Sequence, residues 1–276
     1  MGALDGKVAL ITGAARGQGR SHAVALAAAG ADIVATDLCG QMDSVPYPMA
    51  TVEDLEATAK EVVSLGRRIV TVEADVRDAQ AMVDATQHGV DELGRLDIVV
   101  ANAGITTAGS PAVGRVQAFR DVLDVNLTGA FLTVEAARPH LIAGGRGGSI
   151  VLTSSLAGLR SLGAGSGYTE SKHGLVGLMR SLAIELAPHL IRVNSVHPTT
   201  VATPMILNEY LYRQFRPDLE HPTLEEAEVG LSALNLMPVP YVEASDISNA
   251  ILFLVADTGR YVTGVTLPID AGALLK

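Results

Sequence analysis

From end to end the chain repeats one pattern: a short apolar run, a turn, then a single helical stretch. The runs at Lys7–Thr12, Ala31–Thr36, Arg68–Ala74, Leu96–Ala101, Ser149–Thr153, Ile191–Val196 and Gly264–Ile269 read as strands. Between them Gly19–Ala29, Val52–Leu65, Asp78–Leu93, Gln117–Leu141, Tyr168–Ala187 and Ala244–Ala256 have helical spacing or composition. Strands this apolar are covered on both faces. A helix between successive strands returns the chain to the starting end of the sheet, so the strands run parallel. The pattern predicts an α/β doubly wound sheet of about seven parallel strands with helices on both faces. No linker or internal repeat divides the chain. We expect one domain over 1–276, with a cofactor half near 1–150 and a catalytic and substrate half near 151–276.

Charge and composition exclude several classes of function. The formal net charge is −10, and a surface that neutralises nucleic-acid phosphates is usually basic. The longest apolar runs are far shorter than the roughly 20 residues needed to cross a bilayer. No secretory leader pattern opens the sequence, and the single cysteine, Cys39, excludes an intrachain disulfide. The expectation is a soluble, cytoplasmic protein with no nucleic-acid or membrane partner. Seven histidines are present, but none shows metal-ligand spacing, so no metal is expected. Arg67-Arg68 and Glu225-Glu226 read as solvated faces.

Thr12-Gly13-Ala14-Ala15-Arg16-Gly17-Gln18-Gly19 lies between the first strand and the first helix. Glycines there let the backbone turn tightly and approach a pyrophosphate, while the helix N-terminus offers free N–H groups and partial positive charge. The order strand, glycine turn, helix is the context a dinucleotide site requires, and it makes the sheet Rossmann-type. Asp37 closes the second strand, 24 residues after Gly13. Its carboxylate can accept from adenine-ribose hydroxyls and repels a 2′-phosphate, which favours NAD over NADP. Arg16 is the competing signal, since a guanidinium in the turn can meet a 2′-phosphate. Leu38 follows Asp37. Asp75-Val76 ends the third strand, where the adenine would sit, and Asn102-Ala103-Gly104 ends the fourth. The candidate cofactor residues so far are Gly13, Arg16, Gly17, Gln18, Gly19, Asp37, Leu38, Asp75, Val76, Asn102, Ala103 and Gly104.

Tyr168 and Lys172 are four apart on one predicted helix face, and Ser155 precedes Tyr168 by 13 residues, just after the fifth strand. A free phenol has a pKa near 10. A neighbouring ammonium and an oxidised nicotinamide should lower it, so that Tyr168 exchanges a proton with an alcohol as hydride moves. Ser155 can hydrogen-bond the substrate oxygen. Each part is unremarkable alone, and the conjunction with the glycine turn gives it specificity.

With these motifs in place the chain resembles the short-chain dehydrogenase/reductase family over essentially its full length. The resemblance rests on Thr12-Gly-x-x-x-Gly-x-Gly19, Asp75, Asn102-Ala-Gly104, Asn126, Ser155, Tyr168-x-x-x-Lys172 and Pro198…Thr203. It implies that Asn126 holds a proton-relay water, that Tyr168 and Lys172 also touch the cofactor, and that Val201 and Thr203 meet the nicotinamide carboxamide. The implied catalytic set is Asn126, Ser155, Tyr168 and Lys172. Where the family usually has Pro-Gly, this chain has Pro198-Thr199.

Within the family it resembles the mycofactocin-associated branch, which includes carveol dehydrogenases. The finer likeness rests on Gly19-Arg20-Ser21-His22, on His197-Pro198-Thr199-Thr200 and on an insertion at Cys39–Thr51. Asp37 to Asp75 spans 38 residues, against about 20–25 for one helix and two short loops. The branch implies that the insertion covers NAD, which an external carrier (mycofactocin) re-oxidises in place, and the family implies a homotetramer. Two rivals are an NADPH-dependent 3-ketoacyl-thioester reductase, opposed by Asp37, and a non-catalytic NAD-binding redox sensor, which has no need of the Ser–Tyr–Lys set. The apolar stretch Met205–Met237 predicts an apolar substrate such as a terpenoid secondary alcohol or its ketone.

Overall fold

The computed structural model describes residues 2–107, 113–161 and 166–276. The predicted runs form β1 (Val8–Thr12), β2 (Asp32–Asp37), β3 (Ile69–Glu73), β4 (Ile98–Ala101), β5 (Gly148–Thr153), β6 (Ile191–Pro198) and β7 (Thr266–Ile269). All pair in parallel in one sheet of order β3-β2-β1-β4-β5-β6-β7. Side chains of a strand alternate between faces, and both sets are apolar. Ala9, Ile11, Ile33, Ile98 and Val100 belong to one core. Val8, Leu10, Val34, Val99 and Ala101 belong to the opposite one. Helices α1 (Gly17–Ala28), α2 (Val52–Ser64) and α9 (Ala244–Val255) supply the first core; α3 (Ala79–Leu93), α5 (Gly129–Gly144) and α6 (Tyr168–Leu186) supply the second. The doubly wound architecture is the one expected from the strand and helix pattern.

Strand order reverses between β1 and β4, so the crevice at their carboxyl ends is the ligand-binding position of such a sheet. A third apolar cluster lies at that end and includes Met42, Val45 and Tyr47 from the insertion.

Three expectations need correction. Gln117–Leu141 is not one regular helix. α4 (Arg115–Leu123) and α5 are joined by a π-helical turn at Asp124–Thr128, which contains Asn126. Such turns often occur at functional sites. Between Thr199 and Tyr241, where no helix was expected, the chain forms α7 (Glu209–Phe215) and α8 (Leu224–Ser232). Arg67 and Arg68 do not form a simply solvated face. Both pair with buried Asp32, at 2.7 and 2.8 Å, because a carboxylate that loses water needs compensating charge. Glu226 is also more than a surface acid, as it closes a capping box with Thr223 at the start of α8.

Candidate active site

The turn after β1 is shaped by contacts that leave no room for side chains. Gly13 has φ +67°, and a Cβ on it would come 2.9 Å from Ala103 Cα; a Cβ on Gly19 would come 1.9 Å from the Gly13 carbonyl oxygen. α1 therefore begins directly on the end of β1. The turn is held by Asp37, whose Oδ2 accepts from the Ala15 N–H at 3.0 Å and whose Oδ1 accepts from the Cys39 N–H at 3.3 Å. The carboxylate keeps lone pairs for a ligand. On the other side, Thr12 Oγ1 accepts the Asn102 and Ala103 N–H groups, both at 3.1 Å.

These elements wall one cleft. Of the candidate cofactor residues, Gly13, Arg16, Gly17, Gln18, Gly19, Asp37, Leu38, Asp75, Val76, Asn102, Ala103, Gly104 and Thr203 line it. Val201 does not. It is buried, makes a single bridge to Val242 and backs the wall from inside the core. Asp75 is not free: partial burial pushes its carboxyl up, but hydrogen bonds from Arg77, including Nε at 2.9 Å, hold it below the usual carboxylate range. The guanidinium of Arg16 donates to the Pro48 carbonyl of the insertion.

The insertion contributes Met42, Tyr47, Met49 and Ala50 to the same cleft; of these the sequence pointed to Tyr47 alone, between two prolines. Gln41 organises it. Its Nε2 donates to the Met42 carbonyl at 3.2 Å and the Val45 carbonyl at 3.0 Å, and its Oε1 accepts the Met49 N–H at 3.0 Å. Buried Tyr47 spans the cleft, its hydroxyl accepting the Thr106 N–H at 3.3 Å. Burial pushes the Tyr47 phenol up to about 12. The only local signal for this packing was Pro46-Tyr47-Pro48.

Asn126, Ser155, Tyr168 and Lys172 meet as one cluster beside the cleft. Gly104 joins the two, since a Cβ on it would lie 3.4 Å from Asn126 Oδ1 and 3.5 Å from Lys172 Nζ. Asn126 is buried in the π turn. Its Oδ1 accepts the Ile105 N–H at 2.8 Å, and its Nδ2 donates to the Ile105 carbonyl at 3.0 Å and to Ser171 Oγ at 3.2 Å. Lys172 is buried, donates to the Thr153 carbonyl at 2.8 Å, and sits 5.5 Å from the centroid of the Tyr168 ring. Loss of hydration lowers its pKa to about 8. In the chain alone the Tyr168 phenol is raised rather than lowered: burial pushes it up, and a hydrogen bond with Ser155 opposes this. Desolvation is the larger of these two effects.

The apolar stretch after β6 divides. Met205 lines the cleft. Phe215 packs against Gly230 of α8, and Leu236 and Met237 are exposed. Thr199 and Thr200, just after Pro198, donate to Asn235 Oδ1 and the Pro240 carbonyl at 2.7 and 2.8 Å, tying the strand exit to the returning segment. Among the described residues no group of three or more His, Cys, Asp or Glu is placed to hold a metal ion. No helix of the described residues is long and apolar enough to cross a membrane.

A short chain dehydrogenase family model matches residues 7–211. The chain belongs to the short-chain dehydrogenase family. It is 52% identical to a (-)-trans-carveol dehydrogenase of Rhodococcus erythropolis, with both chains fully covered. It is 39% identical to a trans-4-hydroxycyclohexanecarboxylate dehydrogenase of Sinomonas cyclohexanicum, over 96% of this chain and 92% of that one. Its fold superposes with TM-score 0.97 on a crystal structure of carveol dehydrogenase from Mycobacterium avium in complex with NAD, 54% identical with both chains fully covered. For this short-chain dehydrogenase the full-length likeness includes the insertion.

Proposed function

We propose that this short-chain dehydrogenase is an NAD-dependent alcohol dehydrogenase acting on an apolar cyclic secondary alcohol, of the carveol type, and its ketone. The observation that carries the reading is the Ser155–Tyr168 pair with buried Lys172 5.5 Å from the Tyr168 ring centroid, adjoining the glycine-turn cleft. The cleft fits a dinucleotide: a close glycine cradle at a helix N-terminus suits a pyrophosphate, and Asp37 suits a ribose diol. With Arg16 engaged by Pro48, no free guanidinium at that position offsets Asp37 against a 2′-phosphate. Gly13, Gly17, Gln18 and Gly19 would hold the pyrophosphate, Asp37 and Leu38 the adenosine ribose, and Asp75 and Val76 the adenine. Asn102, Ala103, Gly104, Val201 and Thr203 would hold the nicotinamide half, with Val201 acting through the backbone it fixes.

NAD, when bound, takes up or returns hydride. The chain's own residues handle the proton. Tyr168 accepts it from the substrate hydroxyl as the phenolate and returns it in the reverse direction. Lys172 favours the phenolate by its charge and would hold the nicotinamide ribose. Ser155 donates to the substrate oxygen, where negative charge develops. Asn126, which lies in the π turn, would support a proton path to Lys172.

The Gln41-organised insertion, anchored by Arg16–Pro48 and Tyr47–Thr106, acts as a cover over NAD. That supports re-oxidation in place by an external electron carrier such as mycofactocin. Exposed Ile184, Phe253 and Tyr261 support a subunit interface, and we assign a cytoplasmic homotetramer.

The test uses protein purified without nucleotide. NAD released on denaturation is measured, and cyclic secondary alcohols are assayed with added NAD and with an artificial electron acceptor. Turnover of the cyclic alcohols is expected. Activity confined to small polar hydroxy acids, or none on any alcohol, overturns the reading.

A further inference from the structure

One buried titratable group behind the site has no part in the chemistry above. His197, near the end of β6, is fully buried. Its Nδ1 lies 2.8 Å from the Ser155 carbonyl oxygen and its Nε2 lies 2.8 Å from Ser195 Oγ. A carbonyl oxygen only accepts, so Nδ1 bears the proton, Nε2 is the acceptor, and the Ser195 hydroxyl donates to it. Both ring nitrogens are satisfied in a single neutral tautomer. Burial lowers the imidazole pKa to about 4, so that tautomer persists at neutral pH.

The residue it grips is the one whose hydroxyl meets the Tyr168 phenol. Ser155 stands between β5 and the short 3-10 turn Leu156–Gly158, in extended backbone with φ −166° and ψ 165°. Its remaining restraints are local. Its carbonyl also accepts the Gly158 N–H at 2.9 Å, and its Oγ accepts the Ala157 N–H at 3.1 Å. Those bonds move with the turn. The imidazole comes from the neighbouring strand, whose register with β5 is fixed by ladder pairs from Gly148–Ile191 to Thr153–Val196. The Ser154 N–H also donates to the Val196 carbonyl of β6 at 2.9 Å, but His197 is the side chain of that strand that bonds the Ser155 peptide itself.

We propose that His197 is a positioning residue for the reaction: its Nδ1–H anchors the Ser155 peptide to β6 and so aims the Ser155 hydroxyl at the substrate oxygen. The proposal rests on the functional reading above, in which Ser155 meets the substrate. It also assigns a purpose to histidine before Pro198, which a packing role alone does not require.

Two amide side chains separate the two ring contacts. Asn places its N–H near the position of Nδ1 and so keeps the bond to Ser155. Gln reaches the position of Nε2, keeping Ser195 and losing Ser155. With the best cyclic alcohol, His197→Gln should lower kcat on the order of 10- to 100-fold, the effect expected of a displacement of about 1 Å at a reacting group. His197→Asn should retain most of the wild-type kcat. NAD affinity should be unchanged in both. In a Ser155→Ala background His197→Gln should add no further loss, because the group it aims is gone. If the role were packing alone, the smaller Asn would do at least as much harm as Gln, and the Gln loss would persist on top of Ser155→Ala. Either result overturns the positioning role while leaving the functional reading intact. A wild type inert toward every alcohol overturns the functional reading, and the positioning role with it.

Discussion

Gly19→Ala places a methyl group where the backbone leaves none. The new Cβ would lie 1.9 Å from the Gly13 carbonyl oxygen, 2.6 Å from its carbon and 2.9 Å from Ala14 Cα. All three are backbone atoms, so no rotamer relieves the contact. Separation to an ordinary distance above 3 Å moves the start of α1 away from the end of β1 by more than 1 Å. Alanine is otherwise the better helix former by about 1 kcal/mol. Forced overpacking of a close contact costs about 3 kcal/mol, leaving a net destabilisation of about 2 kcal/mol. For a chain of this length that is about 4 °C in Tm. The same displacement takes the N–H groups at the head of α1 off a bound pyrophosphate. Losing two charge-assisted hydrogen bonds at about 1.5 kcal/mol each weakens NAD binding roughly 100-fold. The assay is NAD affinity by calorimetry beside thermal unfolding. The control is Gly66→Ala, where φ is +74° and a Cβ meets nothing within 4 Å. It should cost about 1 kcal/mol through backbone strain and leave NAD affinity unchanged. Wild-type affinity and Tm in Gly19→Ala would refute the close-approach reasoning.

Other consequences can be checked alongside. Arg16→Ala removes the donor to Pro48, and about 1–2 kcal/mol for a partly exposed charge-assisted bond predicts NAD release faster by roughly 5- to 30-fold; deletion of Val45–Met49 should accelerate it further, and unchanged release rates contradict a covering insertion. Lys172 has its pKa lowered by burial to about 8. In the absence of ligand its charge is complete well below pH 8 and is lost as pH rises through that value. NAD affinity should therefore weaken between pH 7 and pH 9 in a titration, and Lys172→Met should flatten that dependence. The unfolded chain holds this proton up to about 10.5, so Lys172 makes stability rise with pH from about 8 to 10.5.

What was legible in the sequence follows from how each feature is made. β1 and β4 are buried on both faces, so their apolar runs speak without context. The glycine turn and Tyr168-x-x-x-Lys172 are local spacings, and the structure puts them on one cleft and its adjoining cluster. The π turn at Asp124–Thr128 left no trace, because one widened turn inside a helix barely alters apolar periodicity. The insertion is built by one glutamine hydrogen-bonding to backbone, which has no period at all. α8 was findable, since Thr223-x-x-Glu226 is a capping box just before an apolar residue, but prolines and acids surround it and obscure the helical period. The contact between His197 and Ser155 joins residues 42 apart through strand register, which no single-sequence pattern shows.

The central claim is that Tyr168 moves the proton of an alcohol oxidised with NAD at this cleft. Tyr168→Phe removes only the phenol oxygen from a helix that the rest of the ring continues to pack. The measurement is single-turnover oxidation of a cyclic secondary alcohol by this variant loaded with NAD. Abolished turnover with NAD affinity and Tm near wild type is the predicted result; a variant that keeps most of its rate contradicts the assignment.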